Sequence, residues 1–217
     1  MKQQRERICG LYGITDGRLQ GEALLGTTEI ALRAGLRLLQ YRDKTQEDGR
    51  RRQEAAALLA LCRSYDALLV INDDPELTRK IGASAIHVGE EDPGINDLRA
   101  LLGPEVLIGV SCYNDLERAC RLAAAGADYL AFGSVYPSPT KPKARRADLS
   151  LFRAARPLGL PLVAIGGITQ DTMAEVAAAG ADAAAVISAL FGAADVAAAT
   201  QRLQGLFSGK ARRHHDQ

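Results

Sequence analysis

The sequence predicts one closed (β/α)₈ TIM barrel, an α/β fold, and three observations carry that prediction. Eight short, apolar, β-rich runs alternate with longer amphipathic ones along 217 residues, about 27 residues per strand–helix unit. Glycines suited to left-handed helix ends, Gly35, Gly82, Gly126 and Gly180, fall just before each even-numbered strand. Their spacings of 47, 44 and 54 residues are those of two units per repeat. The tetrapeptide AGAD recurs at 125–128 and 179–182. The competing architecture is an open doubly wound sheet, which calls for a G-x-G-x-x-G fingerprint after the first strand; none is present there.

The first strand is expected at 11–15 (LYGIT) and the second at 36–42 (LRLLQYR). Residues two apart on a strand share a face, so Gln40, Arg42 and, just beyond, Lys44 point the same way. An amide and two cations are costly to bury unpaired, which makes this strand end a candidate ligand site. Pairing of Arg42 and Lys44 with Asp43 at a solvated rim is the plainer alternative. The third strand, 67–73 (ALLVIND), delivers Asn72, Asp73 and Asp74. Asp74 precedes Pro75, an N-cap followed by proline at the first helical position, so it is assigned to capping and Asp73 is left for chemistry. The fourth, 85–89 (AIHVG), carries His87 at its middle, as a core or a catalytic histidine, and runs on to Glu90, Glu91 and Asp92. Capping competes at Asp92, which precedes Pro93, but Asn96 is the better cap for INDLRALLG.

The fifth strand, 106–111 (VLIGVS), closes on Ser111. A helix is predicted from Asn114 as N-cap, with Glu117 three residues on and Leu116, Ala119, Cys120, Ala123 and Ala124 along one face. The sixth strand, 129–135 (YLAFGSV), opens into a loop whose prolines restrict Ser138, Thr140 and Lys141 to few conformations. The seventh, 161–166 (PLVAIG), leads into Gly166-Gly167, and the eighth, 183–188 (AAAVIS), ends in Ile187-Ser188. Backbone amides at those two strand ends make the usual barrel phosphate site, and a glycine lets the ligand approach without a Cβ in the way.

Composition bounds the function. With 47% hydrophobic and 24% charged residues the chain suits a single domain, expected over 1–209, with a polar, disordered tail at 210–217. A net charge of +1 gives no chain-wide attraction to nucleic acid or membrane, and KPKARR is short and lacks interleaved aromatics. No apolar run is long enough to span a bilayer, and MKQQRERICG lacks a signal core, so a cytoplasmic protein is expected. Cys9, Cys62, Cys112 and Cys120 form no C-x-x-C and are read as structural thiols. Two of the three histidines, His214 and His215, lie in the tail, which disfavours a histidine triad or a multi-histidine metal site.

In a barrel the chemistry sits at the carboxyl ends of the strands. There the sequence gathers cations (Arg42, Lys44, Lys141) and carboxylates (Asp73, Asp92). A bare phosphate site has no use for the carboxylates, and a bare Mg²⁺ site has none for the lysines. A Mg²⁺–diphosphate uses both. With a second phosphate site at strands seven and eight, two phosphorylated substrates are expected.

The set ITD, QYRDK, IND, HVGEED, IGVS, FGSVYPSPTKP, AIGGI and AVIS, in this order from about Leu11 to Leu190, closely resembles thiamine-phosphate synthase. The resemblance implies a (β/α)₈ barrel that joins 4-amino-2-methylpyrimidine methyl diphosphate to 4-methyl-5-hydroxyethylthiazole phosphate, releasing diphosphate and requiring Mg²⁺. It implies pyrimidine-diphosphate contacts at Gln40, Arg42, Lys44, Asn72, Ser111 and Lys141, with Arg42, Lys44 and Lys141 taken as catalytic. It implies Mg²⁺ ligands at Asp73 and Asp92. Thiazole-phosphate contacts fall at Ser138 and Thr140, and the phosphate pocket at Gly167, Ile187 and Ser188. Two positions depart from the family pattern: Glu90 stands where many members have Gln, and Tyr113 where many have His. The alternatives are a thiazole tautomerase, which resembles this family but does without the Mg²⁺–diphosphate set, and a non-catalytic barrel that binds a phosphorylated ligand. The sequence leaves the oligomeric state open.

Overall fold

The computed structural model describes residues 2–15, 17–137 and 146–211. Eight parallel strands close into a barrel in sequence order: β1 (Gly10–Ile14), β2 (Leu38–Tyr41), β3 (Leu68–Asn72), β4 (Ala85–Val88), β5 (Leu107–Tyr113), β6 (Tyr129–Gly133), β7 (Leu162–Ile165) and β8 (Ala183–Val186). The ring is completed by β8 against β1, with Leu11 opposite Ala184 and Tyr12 opposite Ala185. Each of the eight predicted strands is present, most of them trimmed at the ends. β5 runs on to Tyr113, with a register shift against β6 between Ser111 and Tyr113.

Alternation along each strand makes two cores. Tyr12 and Ile14, Leu38, Leu68 and Val70, Ala85, Leu107, Tyr129 and Ala131, Val163, and Ala183 and Ala185 fill the barrel. The intervening residues, such as Leu39, Tyr41, Ile71, Ile86, Val110, Phe132 and Ala164, face outward into a larger core under the helices. A short α1 (Lys2–Arg5) precedes the first strand, and the outer layer contains α2 (Gly21–Arg33), α3 (Asp48–Ser64), α4 (Pro75–Ile81), α5 (Ile95–Leu102), α6 (Leu116–Ala124), α7 (Ser150–Ala155), α8 (Gln170–Ala178), α9 (Ser188–Phe191) and α10 (Val196–Ala211). α10 extends past residue 209, the expected edge of the barrel.

Local signals explain most helix boundaries. Gly35, Gly82, Gly126 and Gly180 all have positive φ, between 67° and 110°, as their place before the even strands requires. Asp74 caps α4, accepting the Leu77 N–H at 2.8 Å with Pro75 at the first position. Two predicted caps are corrected. α6 is capped by Asp115, which accepts the Arg118 N–H at 2.9 Å, because β5 runs on to Tyr113 and Asn114 lies in the turn that follows. Asn114 instead reaches the Arg146 carbonyl. α5 starts after Gly94 with no side-chain cap, and Asn96 lies inside it.

The amino-terminal end of the barrel is plugged. Ile8 inserts into the inner core, and Asp128, fully buried, is held by Arg5 at 2.8 Å and by Arg99. The carboxyl ends of the strands form the other mouth.

Candidate active site

Inward-facing positions change character along the barrel axis. Leu38, Leu68, Ala85 and Leu107 give way, two or four residues later, to Gln40, Asn72, His87 and Ser111. The polar residues at the upper end of one apolar cylinder come from four strands, which is how a barrel assembles a site from distant segments.

The loop after β2 is held from behind. Thr15, at the end of β1, accepts the Arg42 N–H at 2.8 Å. Asp43 turns outward to Arg50 of α3, at 2.7 Å, and accepts the Thr45 N–H. Burial pushes the Asp43 carboxyl up, but the Thr45 and Arg50 contacts outweigh it and hold the group below the usual carboxylate range. Arg50 also reaches Glu54, a buried carboxylate that accepts the Tyr41 O–H and the Gly21 N–H, each at 2.7 Å. The plainer reading of Arg42 and Lys44 as partners of Asp43 therefore fails, since that carboxylate belongs to Arg50. Among the described residues no carboxylate pairs with Arg42, and Lys44 reaches across to Asp73, just after β3.

Asp73 follows β3 in a left-handed conformation (φ 58°), unusual for a residue other than glycine and of the kind that collects at functional sites. Its N–H donates to the His87 carbonyl at 2.9 Å, and its carboxylate accepts from Lys44 and from Asn72, the latter at 2.7 Å. Asp92 folds back to accept the Gly89 N–H at 2.6 Å, so it caps no helix. The two carboxylates are close enough to perturb each other. Burial raises both, but the Lys44 contact brings Asp73 below its ordinary value, while the neighbouring Asp73 helps to hold Asp92 above. A cation between them would relieve that repulsion. No cluster of three or more carboxylate, histidine or cysteine side chains suited to a metal occurs among the described residues.

Both departures from the expected pattern converge on Arg118 of α6. Its guanidinium lies 3.7 Å from Glu90, 5.6 Å from the Tyr113 ring centroid, and donates to the Ser111 carbonyl at 2.9 Å. Glu90 is 68% exposed and belongs to this arginine. His87 is buried, with Nε2 at 3.0 Å from the Ser111 hydroxyl and Nδ1 at 3.0 Å from that of Tyr129.

Gly166 and Gly167 have φ of 99° and 65°. A Cβ on Gly166 would meet Ser134 at 2.1 Å, and one on Gly167 would meet the Pro137 carbonyl at 2.4 Å. The glycine pair therefore lets the loop after β6 pack against the end of β7. Ile187 and exposed Ser188 stand where β8 passes into the short α9. Ser138, Thr140 and Lys141 lie outside the described residues. Sequence reasoning missed Arg50, Glu54 and Thr15, which fix the β2 loop, and the tyrosines Tyr12 and Tyr129. Their long-range partners left no local signal.

Comparison with known proteins gives one answer. The family described as thiamine monophosphate synthase matches residues 11–190. The thiamine-phosphate synthase of Halorhodospira halophila is 48% identical over 204 residues, covering 94% of this chain and 96% of that one. The thiamine-phosphate synthase of Acidithiobacillus ferrooxidans is 50% identical over 208 residues, with 94% and 96% covered. Among solved structures, the thiamine phosphate pyrophosphorylase of Pyrococcus furiosus superposes with a TM-score of 0.86 at 35% identity, covering 95% of this chain and 98% of that one.

Proposed function

The chain belongs to the thiamine monophosphate synthase family, and from that membership we infer a transferase that joins 4-amino-2-methylpyrimidine methyl diphosphate to 4-methyl-5-hydroxyethylthiazole phosphate, giving thiamine phosphate and diphosphate. The observation that carries the site assignment is the meeting of Lys44, Asn72, Asp73 and Asp92, from three separate segments, beside Gln40 and Ser111 at one mouth.

Two carboxylates are a small set for a metal, but Mg²⁺ is commonly held by one or two carboxylates with the remaining positions filled by water and substrate phosphate. Asp73 and Asp92 fit that role: the Asp73 carboxylate raises Asp92 above its ordinary value, and a divalent cation would offset that penalty. When bound with the substrate, Mg²⁺ would neutralise charge on the diphosphate. Arg42, Lys44 and Lys141 would hold the remaining phosphate oxygens, and Lys44 would exchange its Asp73 partner for one of them. Gln40, Asn72 and Ser111 would orient the pyrimidine, while Ser138, Thr140, Gly167, Ile187 and Ser188 would seat the thiazole phosphate.

The reaction then needs no general base. The methylene C–O bond breaks with its electron pair leaving on diphosphate, and the aminopyrimidine stabilises the resulting cation. The thiazole nitrogen donates its lone pair to that carbon, forming the C–N bond with no proton transferred. Catalysis is positioning together with electrostatic stabilisation of the departing charge. A cytoplasmic location belongs to the same reading: the four cysteines are free, and no described helix is long and apolar enough to cross a membrane.

The test mixes both substrates with and without Mg²⁺ and follows diphosphate and coupled product together. Stoichiometric, Mg²⁺-dependent release supports the assignment. A protein that binds thiazole phosphate but ignores the pyrimidine diphosphate in calorimetry would be a tautomerase or a binding barrel instead.

A further inference from the structure

A chain of hydrogen bonds crosses the otherwise apolar interior of the barrel. Gln40 Nε2 donates to Tyr12 Oη at 2.8 Å, Tyr12 Oη lies 3.1 Å from Tyr129 Oη, Tyr129 Oη lies 3.0 Å from His87 Nδ1, and His87 Nε2 lies 3.0 Å from Ser111 Oγ. The links come from β2, β1, β6, β4 and β5 in turn. Tyr12 and Tyr129 are 1% and 0% exposed, and the two ends, Gln40 and Ser111, are residues the proposed function gives to the pyrimidine. We propose that Tyr12, Tyr129 and His87 act as positioning residues, a one-way relay that fixes whether Gln40 and Ser111 offer a donor or an acceptor to the pyrimidine diphosphate. The proposal rests on the reading of Gln40 and Ser111 as substrate contacts.

With the Gln40 amide donating to Tyr12, the direction follows from counting protons, since each tyrosine hydroxyl has one to give. Tyr12 accepts from the Gln40 amide, so its own proton goes to Tyr129. Tyr129 then donates to His87 Nδ1, and the imidazole carries its single proton on Nε2, aimed at Ser111. The Ser111 proton stays available for an acceptor on the ligand, and Gln40 Oε1 stays available for a donor. One fully satisfied alternative exists, with every bond reversed. It turns the Gln40 amide over and engages the Ser111 proton on His87, so both ends change character together. A doubly protonated imidazole does not fit the forward direction, because Tyr129 would accept from both neighbours and its buried proton would have no partner; it is satisfied only when the tyrosine and glutamine bonds are reversed and Ser111 accepts.

The packing is built around this line. The His87 and Tyr129 rings stack at 5.5 Å with planes 27° apart, and Tyr12 meets Tyr129 edge-on at 6.5 Å. Gly109, inward-facing on β5, leaves the room: a Cβ there would lie 1.9 Å from the Tyr129 ring. Scaffolding alone needs neither tyrosine hydroxyl, since a phenylalanine pair fills the same volume. The hydroxyls matter because they carry orientation from one substrate contact to the other.

The test combines kinetics with tautomer assignment. Tyr129→Phe keeps the ring and removes the link; kcat/KM for the pyrimidine diphosphate should fall about tenfold while KM for the thiazole phosphate is unchanged. Placed in a Ser111→Ala background, the same substitution should add clearly less than it does alone, since its path through Ser111 is already cut and only the one through Gln40 remains. Equal effects on both substrates, or full additivity with Ser111→Ala, would overturn the relay. Nitrogen-15 spectra of the unsubstituted protein, which has three histidines, should show His87 protonated on Nε2 and bare on Nδ1. The opposite tautomer or an imidazolium at neutral pH refutes the direction. If Tyr129→Phe does not fold, Tyr12→Phe replaces it with the same expectations. If no thiamine phosphate is formed at all, the proposed function has failed, and the tautomer measurement still decides the relay.

Discussion

Lys44 and His87 show how differently two polar residues at the same mouth are held. Lys44 is exposed and, among the described residues, pairs with Asp73, so its removal should leave the fold intact and expose a carboxylate to the incoming diphosphate. A charge-assisted contact contributes roughly 1.5–3 kcal/mol, and each 1.36 kcal/mol is tenfold in rate. Lys44→Ala should therefore slow turnover by about tenfold to a few hundredfold, in single-turnover as well as steady-state measurements. His87 is buried, and burial lowers its pKa to about 4, against the opposing pull of Asp73. The unfolded chain takes up this proton near the ordinary value of 6.5 and the folded chain only near 4. Stability should then fall as pH drops between those values, by on the order of 3 kcal/mol. Urea midpoints across this window check it, and His87→Gln should flatten the slope.

At the scale of elements, the β2 loop depends on α3. Arg50 is the shared partner of Asp43 and Glu54, whose side chains are 4% and 5% exposed. Removing one partner of a buried ion pair costs about 3–5 kcal/mol, because the carboxylates lose their compensation. Arg50→Ala should destabilise by that order in urea unfolding, and adding Glu54→Gln should restore part of the loss. Strand parity placed Gln40 and Arg42 together, and the Asp74-Pro75 pair marked its cap, because both signals lie within a few residues. The α3 support was not legible for the opposite reason: Arg50, Asp43 and Glu54 pair across turns of chain whose geometry no local pattern specifies. The cap falls at Asp115 and not at Asn114 because β5 runs two residues further than its apolar run suggests, and α5 begins one residue before Asn96, after Gly94, with no side-chain cap to signal it.

For the whole molecule, ligand binding and stability are linked. Asp73 raises the neighbouring Asp92 carboxyl, and Lys44, paired with Asp73, is the cation that opposes this. Mg²⁺ with inorganic diphosphate, at about 100 times its Kd, should add about 2.7 kcal/mol. For a chain of this size that raises Tm by roughly 5–10 °C. Differential scanning fluorimetry should see the shift with both components together, and Asp92→Asn should reduce it.

The sequence by itself determined the barrel, the strand order and the parity of the mouth residues, since these follow from two-residue alternation, glycine punctuation and the length of a strand–helix unit. It also brought out the charges of the site, because unpaired cations and carboxylates at strand ends have no place in an apolar core. Only the tertiary structure decided which groups answer one another: Asp43 to Arg50, Glu90 to Arg118, Lys44 to Asp73, and Gln40 to Ser111 through two tyrosines and a histidine. The last of these depends on closure of the ring, which brings Tyr12 and Tyr129, 117 positions apart, within hydrogen-bond distance, and closure is a property of all eight strands at once.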